Sequence, residues 1–119
     1  GLRARLNLGH TLAHAAEAAS LWRLSHGQAV AAGLVAETEL SLALGVLDEA
    51  SRSLPGRLRT LMPRLGLPAA FPTLDRAQFR QALLRDKKAR RGIVRVVLPV
   101  RPGKVLVRKV PLADLLSVV

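Results

Sequence analysis

Residues 26–44 constrain the fold most strongly, because apolar side chains lie on nearly every side of the helix that this segment predicts. A helix that is apolar all round is buried in a core. Gly45 follows directly and predicts the end of the helix. We expect the other elements to pack around this helix, with Glu37 and Glu39 at its solvent edge or in ion pairs.

The segments on either side predict a helical bundle. Apolar periodicity predicts a first helix over 4–19, in which the interior Gly9 would lower helix propensity by about 1 kcal/mol relative to alanine. Pro55 at a first turn and Asp75 as a cap predict further helices over 55–65 and 76–88. Pro111 predicts a short last helix over 111–118.

One small β-hairpin interrupts the helical pattern. Residues 93–98 and 105–110 are rich in β-branched side chains and flank the turn-rich segment 99–104. The fold class is therefore mainly α, a helical bundle with one small β-hairpin, and the length of 119 residues predicts a single domain over 1–119.

Composition excludes several kinds of site. The chain has no cysteine, so any metal site must use nitrogen and oxygen ligands, and a cytoplasmic location is expected. No apolar run is long enough to predict a membrane span.

The net charge of +11 divides into −2 for residues 1–50 and +13 for residues 51–119. A basic helical module that binds nucleic acid is therefore one alternative, although the three aromatic residues are few for base stacking.

The three histidines of the chain, His10, His14 and His26, lie within 17 residues. His10 and His14 are four apart and share one face of a helix. His10 and His26 are a reasonable pair of metal ligands, with His14 one turn away as a proton-transfer group. A third ligand could be Glu17 or could come from chain outside this sequence. The alternative is that the three histidines are polar residues without function.

The basic cluster at 85–91 also allows two interpretations. Cations at the end of a helix interact favourably with its dipole, which would make the cluster a solvated helix terminus. Alternatively, Lys87 or Lys88 binds a phosphate or carboxylate group.

Four segments of the sequence resemble the C-terminal domain of the 3-dehydroquinate synthases. Residues 1–17 read Gly-Leu-Arg-x-x-Leu-Asn-Leu-Gly-His-Thr-x-x-His-Ala-x-Glu, and residues 26–33 read His-Gly-x-Ala-Val-Ala-x-Gly. Asp-Lys-Lys at 86–88 and Val-Leu-Pro at 97–99 follow in the order of that family.

The resemblance implies a lyase of the shikimate route to chorismate and the aromatic amino acids. Such enzymes convert 3-deoxy-D-arabino-heptulosonate 7-phosphate into 3-dehydroquinate and phosphate, using NAD⁺ and a divalent metal, usually zinc, with cobalt as a substitute. Sibling sugar-phosphate cyclases of the 2-deoxy-scyllo-inosose or epi-valiolone synthase type are the closest alternative. A homodimer is also implied.

The resemblance assigns roles to residues at matching positions. It implies that His10 and His26 bind the metal and that His14 binds substrate and transfers a proton. The matching positions also imply further substrate-binding residues: Arg3, Leu6, Asn7 and one of the two lysines Lys87 and Lys88.

Family members carry a nucleotide-binding domain and a glutamate metal ligand ahead of the region matched here. We therefore expect the NAD⁺ site to lie outside these residues and the chain alone to be inactive. The same comparison argues against Glu17 as the third ligand. Gln28 stands where the family usually has glutamate, which could alter the charge near the metal.

Overall fold

The computed structural model describes residues 7–20, 23–72, 74–85 and 89–119. These residues form helices, a short 3₁₀ turn and one antiparallel sheet, which confirms the predicted mainly α class. The helices are α1 (His10–Ala19), α2 (His26–Ala43), α3 (Leu54–Arg64), α4 (Arg76–Arg85) and α5 (Leu112–Leu116), with the 3₁₀ turn at Glu49–Ser51. The strands are β1 (Ala89–Arg90), β2 (Ile93–Arg101) and β3 (Lys104–Pro111).

Helix α2 is the central element, as its apolar sequence predicts. It packs against α1, α3 and β2. Its C-terminal end is a Schellman motif, in which the Val46 N–H donates to the Ser41 carbonyl at 2.8 Å and Gly45 has a φ of 73°. The predicted role of Gly45 in ending this helix is confirmed.

The main core joins α1, α2, α4, α5 and the sheet. Helix α1 lies between α2 and α4, and its small residues allow both neighbours to pack closely. The largest fully buried apolar side chains of this core are Leu12, Leu40, Phe79, Leu83, Val94, Val96, Leu98, Val110 and Leu115. A smaller cluster, Ala31, Val35 and Met62, attaches α3 to α2.

The sheet is larger than the predicted hairpin. Strand β2 continues through the first half of the segment predicted as a loop, and the turn to β3 is limited to Pro102 and Gly103. In addition, β1 pairs with the other edge of β2 through a turn at Arg91 and Gly92. Both turn residues have positive φ, 54° and 76°, as two-residue hairpin turns of type I′ require.

The first helix begins later than its sequence predicts. Asn7–Gly9 form a turn, and α1 starts at His10. Gly9 is the N-cap residue in a left-handed conformation, with φ 83° and ψ −14°. The expected cost of a glycine inside the helix was therefore wrong, because Gly9 occupies a position that other residues adopt only with strain.

Helices α1 and α2 approach each other closely at two glycines. A Cβ atom on Gly33 would overlap the carbonyl oxygen of Gly9. A Cβ atom on Gly9 would lie 2.9 Å from the Val30 carbonyl oxygen. This backbone-to-backbone contact fixes the start of α1, and with it His10, against the middle of α2.

None of the helices in the described parts of the chain is long and apolar enough to cross a membrane.

We expect Gly33→Ala to lower the free energy of unfolding by about 1–3 kcal/mol, because the added methyl group forces α1 and α2 apart. Gly27→Ala is the matched control, since it lies in the same helix and a Cβ there meets nothing within 4 Å. It should leave stability unchanged or raise it by up to about 1 kcal/mol. Urea denaturation of both variants makes the comparison, and equal stability of Gly33→Ala and wild type would contradict the close contact.

A candidate metal centre at a cluster of histidines

The structure brings the three histidines together. The ring centres of His10 and His26 are 5.3 Å apart, those of His14 and His26 are 5.9 Å apart, and those of His10 and His14 are 6.0 Å apart. Two imidazoles that bind one zinc ion through Zn–N bonds of about 2.0–2.1 Å have ring centres about 5 Å apart. The separation of His10 and His26 is the nearest of the three to this value.

A capping box holds His26 at the first position of α2. Ser25 is the N-cap, and its hydroxyl accepts from the Gln28 N–H at 3.2 Å. The Gln28 side-chain oxygen accepts from the Ser25 N–H at 3.0 Å. The Ser-x-x-Gln pattern was the sequence signal for this motif. It gives Gln28 a structural role at the start of the helix that carries His26.

Hydrogen bonds orient the rings of His10 and His26. The Nδ1 atom of His26 lies 2.7 Å from Glu17 Oε1, and the Nδ1 atom of His10 lies 3.1 Å from the Leu8 carbonyl oxygen. A carbonyl or an ionised carboxylate can only accept, so we assign the proton of each neutral ring to Nδ1. Nε2 then carries the lone pair that can bind a metal.

This pattern fits a divalent metal. Histidines that bind metals usually donate their other ring N–H to a carboxylate or a backbone carbonyl, which fixes the tautomer and the ring orientation. His26 has a carboxylate partner and His10 has a carbonyl partner. Glu17 is 7% exposed and contacts the ring of His26, so it occupies the place of an orienting residue.

His14 lies beside the pair and faces a cavity. Its side chain is exposed on α1, one turn beyond His10. It lines a cavity of about 180 Å³ between α1 and α4, together with Thr11 and Arg85. The small side chains of Ala15, Ala18 and Ala82 leave room for this cavity. An imidazole and a guanidinium at one opening can together attract an anionic group.

The other predicted substrate-binding residues divide into two groups. Asn7 is exposed in the turn before α1, and its carbonyl accepts from the His10 N–H at 3.0 Å. Arg3, Leu6, Lys87 and Lys88 lie outside the described residues.

Glu37 is the residue of this region that the sequence interpretation missed. It was expected at a solvent edge or in an ion pair, but it is fully buried and forms no salt bridge within the described residues. Its Oε2 accepts from the Gly9 N–H at 2.6 Å. Burial raises the pKa of Glu37 well above its ordinary value, and the hydrogen bond from Gly9 partly opposes this rise. Glu39 does follow the expectation, since it pairs with Arg59.

A complete metal site is not present in the part of the chain that the structure describes. No group of three or more histidine, aspartate or glutamate side chains there is arranged to hold a metal ion by itself. The described residues therefore provide two oriented imidazoles and a third one nearby.

Comparison with known proteins decides the family. The model of the 3-dehydroquinate synthase C-terminal domain matches residues 1–89. The chain belongs to this family. A 3-dehydroquinate synthase from Symbiobacterium thermophilum is 44% identical over 108 residues, covering 90% of this chain and 30% of that protein. One from Caldanaerobacter subterraneus subsp. tengcongensis is 42% identical over 118 residues, covering 98% of this chain and 32% of that protein.

Solved structures show the same fold. A 2-deoxy-scyllo-inosose synthase, in complex with carbaglucose-6-phosphate, NAD⁺ and Co²⁺, superposes with a TM-score of 0.75 at 21% identity. The match covers 94% of this chain and 33% of that one. A second structure of a 2-deoxy-scyllo-inosose synthase gives a TM-score of 0.71 at 19% identity. The chain thus spans about a third of the length of the proteins that it matches.

Proposed function

We propose that this chain is the metal- and substrate-binding part of a 3-dehydroquinate synthase. The observation that carries the proposal is the pair formed by His10 and His26, each with its Nδ1 within hydrogen-bond distance of an acceptor oxygen. These partners assign the lone pair of each neutral ring to Nε2. Because the chain belongs to this family, we propose that the complete enzyme catalyses the reaction after which the family is named. This reaction converts 3-deoxy-D-arabino-heptulosonate 7-phosphate into 3-dehydroquinate and phosphate, in the cytoplasmic shikimate route to aromatic amino acids.

The Nε2 atoms of His10 and His26 would hold the metal, zinc or cobalt. Glu17 would keep His26 oriented through its Nδ1. Catalytic zinc sites commonly use three protein ligands, and we infer that the third comes from protein outside these 119 residues. When bound, a divalent metal polarises a substrate hydroxyl and favours loss of its proton.

We assign the proton transfer to His14. It lies one helical turn from His10, with its ring centre 6.0 Å away, and it opens onto a cavity. This placement lets a ring nitrogen of His14 exchange a proton with a substrate group while His10 holds the metal. Asn7, Arg3 and Leu6 would bind the substrate. Lys87 or Lys88 would attract its phosphate or carboxylate.

Further protein would complete the enzyme. NAD⁺ would bind mainly to a separate nucleotide-binding domain, and the active assembly would be a homodimer. We therefore expect the 119-residue chain by itself to show no turnover with NAD⁺ and zinc supplied. Phosphate release by this chain alone would contradict that expectation.

A sibling cyclase is the second candidate, because the matching solved structures are 2-deoxy-scyllo-inosose synthases. The family match and the relatives at 42–44% identity favour the 3-dehydroquinate synthase. Phosphate release by the complete enzyme from 3-deoxy-D-arabino-heptulosonate 7-phosphate, sedoheptulose 7-phosphate and glucose 6-phosphate separates the two. Preference for either of the last two substrates would reject the favoured assignment.

A nucleic-acid-binding module remains the alternative of another class. Such a module would bind DNA or RNA with an affinity that falls steeply as the salt concentration rises. The substitution His10→Ala would leave this affinity unchanged.

In the complete enzyme, we expect His10→Ala and His26→Ala each to abolish metal retention, because each removes one ligand. His14→Ala is the matched control: it removes an imidazole from the same cluster and should keep the metal while losing most of the turnover. Metal content per protein, measured by mass spectrometry after dialysis, gives the result. Loss of metal from His14→Ala together with retention by His10→Ala would contradict the assignment.

A further inference from the structure

We infer that Glu37 is a positioning residue for the metal site, acting on His10 through the peptide group between Leu8 and Gly9. This inference rests on the proposed function, in which His10 binds the metal. The two residues at the ends of this connection lie on different helices, α2 and α1.

One peptide group joins the two side chains. Its N–H, on Gly9, donates to Glu37 Oε2 at 2.6 Å. Its C=O, on Leu8, lies 3.1 Å from the Nδ1 of His10. A peptide group is planar and rigid, so fixing the direction of its N–H also fixes the direction of its C=O. The Glu37 carboxyl thereby sets the acceptor that orients the His10 ring.

The N-terminus of α1 gives Glu37 this role. In a capping box, the N3 side chain accepts from the N–H of the N-cap residue. In helix α2, the N3 residue Gln28 accepts this hydrogen bond from the N–H of the N-cap residue. In α1 the N-cap is Gly9 and the N3 residue is Leu12, whose side chain has no acceptor. Glu37, 28 residues away in sequence, supplies the missing acceptor from the neighbouring helix.

The surroundings hold this connection tightly. Glu37 is fully buried, so water does not compete for its Oε2. The Gly9 carbonyl accepts from the Ala13 N–H at 3.1 Å and lies against Gly33. The Leu8–Gly9 peptide group donates to Glu37 and accepts from His10, and hydrogen bonds linked through one peptide group polarise each other. Each of the two imidazole rings is therefore oriented by a glutamate. Glu17 orients His26 directly, and Glu37 orients His10 through one peptide group.

The test uses three variants of the complete enzyme. Glu37→Leu removes the acceptor at similar volume, Glu37→Gln keeps an oxygen acceptor, and Ser41→Ala is the control. Ser41 is equally buried one turn further along α2, and its hydroxyl has no hydrogen-bond partner within the described residues. The readouts are zinc affinity, by competition with a chelator, and deuterium exchange at the Gly9 amide.

We expect Glu37→Leu to weaken zinc binding about 10–100-fold, the range seen when residues that orient metal ligands are removed. Exchange at the Gly9 amide should rise at least about tenfold, because its N–H loses its acceptor. Glu37→Gln should restore both values to within about threefold of wild type, and Ser41→Ala should change neither. A folded Glu37→Leu enzyme with wild-type zinc affinity would overturn the inference.

Two further results separate the possible failures. If Glu37→Leu does not fold, deuterium exchange at the Gly9 amide of the wild-type enzyme tests the inference instead. Slow exchange of this amide supports the inference, and exchange as fast as that of an exposed amide overturns it. If His10→Ala leaves zinc affinity unchanged, the proposed function fails at His10, and the inference falls with it. If His10→Ala abolishes zinc binding but Glu37→Leu does not weaken it, only the inference fails.

Discussion

The close contact between α1 and α2 is the constraint on which the rest of the structure depends. Gly33 allows the Gly9 carbonyl to lie against the backbone of α2, and the left-handed conformation of Gly9 starts α1 at that point. Because α1 also packs on α4, the same contact sets the position of one wall of the main core. It places His10 and His14 opposite His26 at the start of α2. The cluster of imidazoles is thus a consequence of two residues that have no side chain.

The chemistry of the cluster depends on what holds the rings. His26 stands at the first position of α2, where 58% of its side chain is exposed, yet its Nδ1 contacts a carboxylate that is itself largely buried. His10 is held by backbone, and that backbone is held by Glu37. Both arrangements place the proton on Nδ1 and leave the lone pair on Nε2. A histidine needs this lone pair to bind a metal ion. Glu17 lies where it can orient the His26 ring, which differs from the ligand role that its sequence position also allowed.

Local patterns made much of the fold predictable. The all-apolar α2, the end of that helix at Gly45 and the Asp75 cap, which accepts from the Gln78 N–H at 3.1 Å, all follow from neighbouring residues. The start of α1 and the burial of Glu37 were not predictable, because both depend on a contact between residues 28 apart in sequence. Strand β1 was missed because it has two residues, although Arg91-Gly92 is a possible turn signal. The predicted substrate contacts at Arg3, Leu6, Lys87 and Lys88 stay predictions.

The position of the metal in the complete enzyme tests the proposed roles of His10 and His26 most directly. A crystal of that enzyme grown with zinc, measured at the zinc absorption edge, would locate the ion by anomalous scattering. We expect a peak about 2.0–2.1 Å from the Nε2 atoms of His10 and His26. The Nδ1 atoms of the two rings should still face the Leu8 carbonyl and Glu17. A peak bound to either Nδ1, coordinated directly by Glu17, or located away from both histidines would contradict these roles.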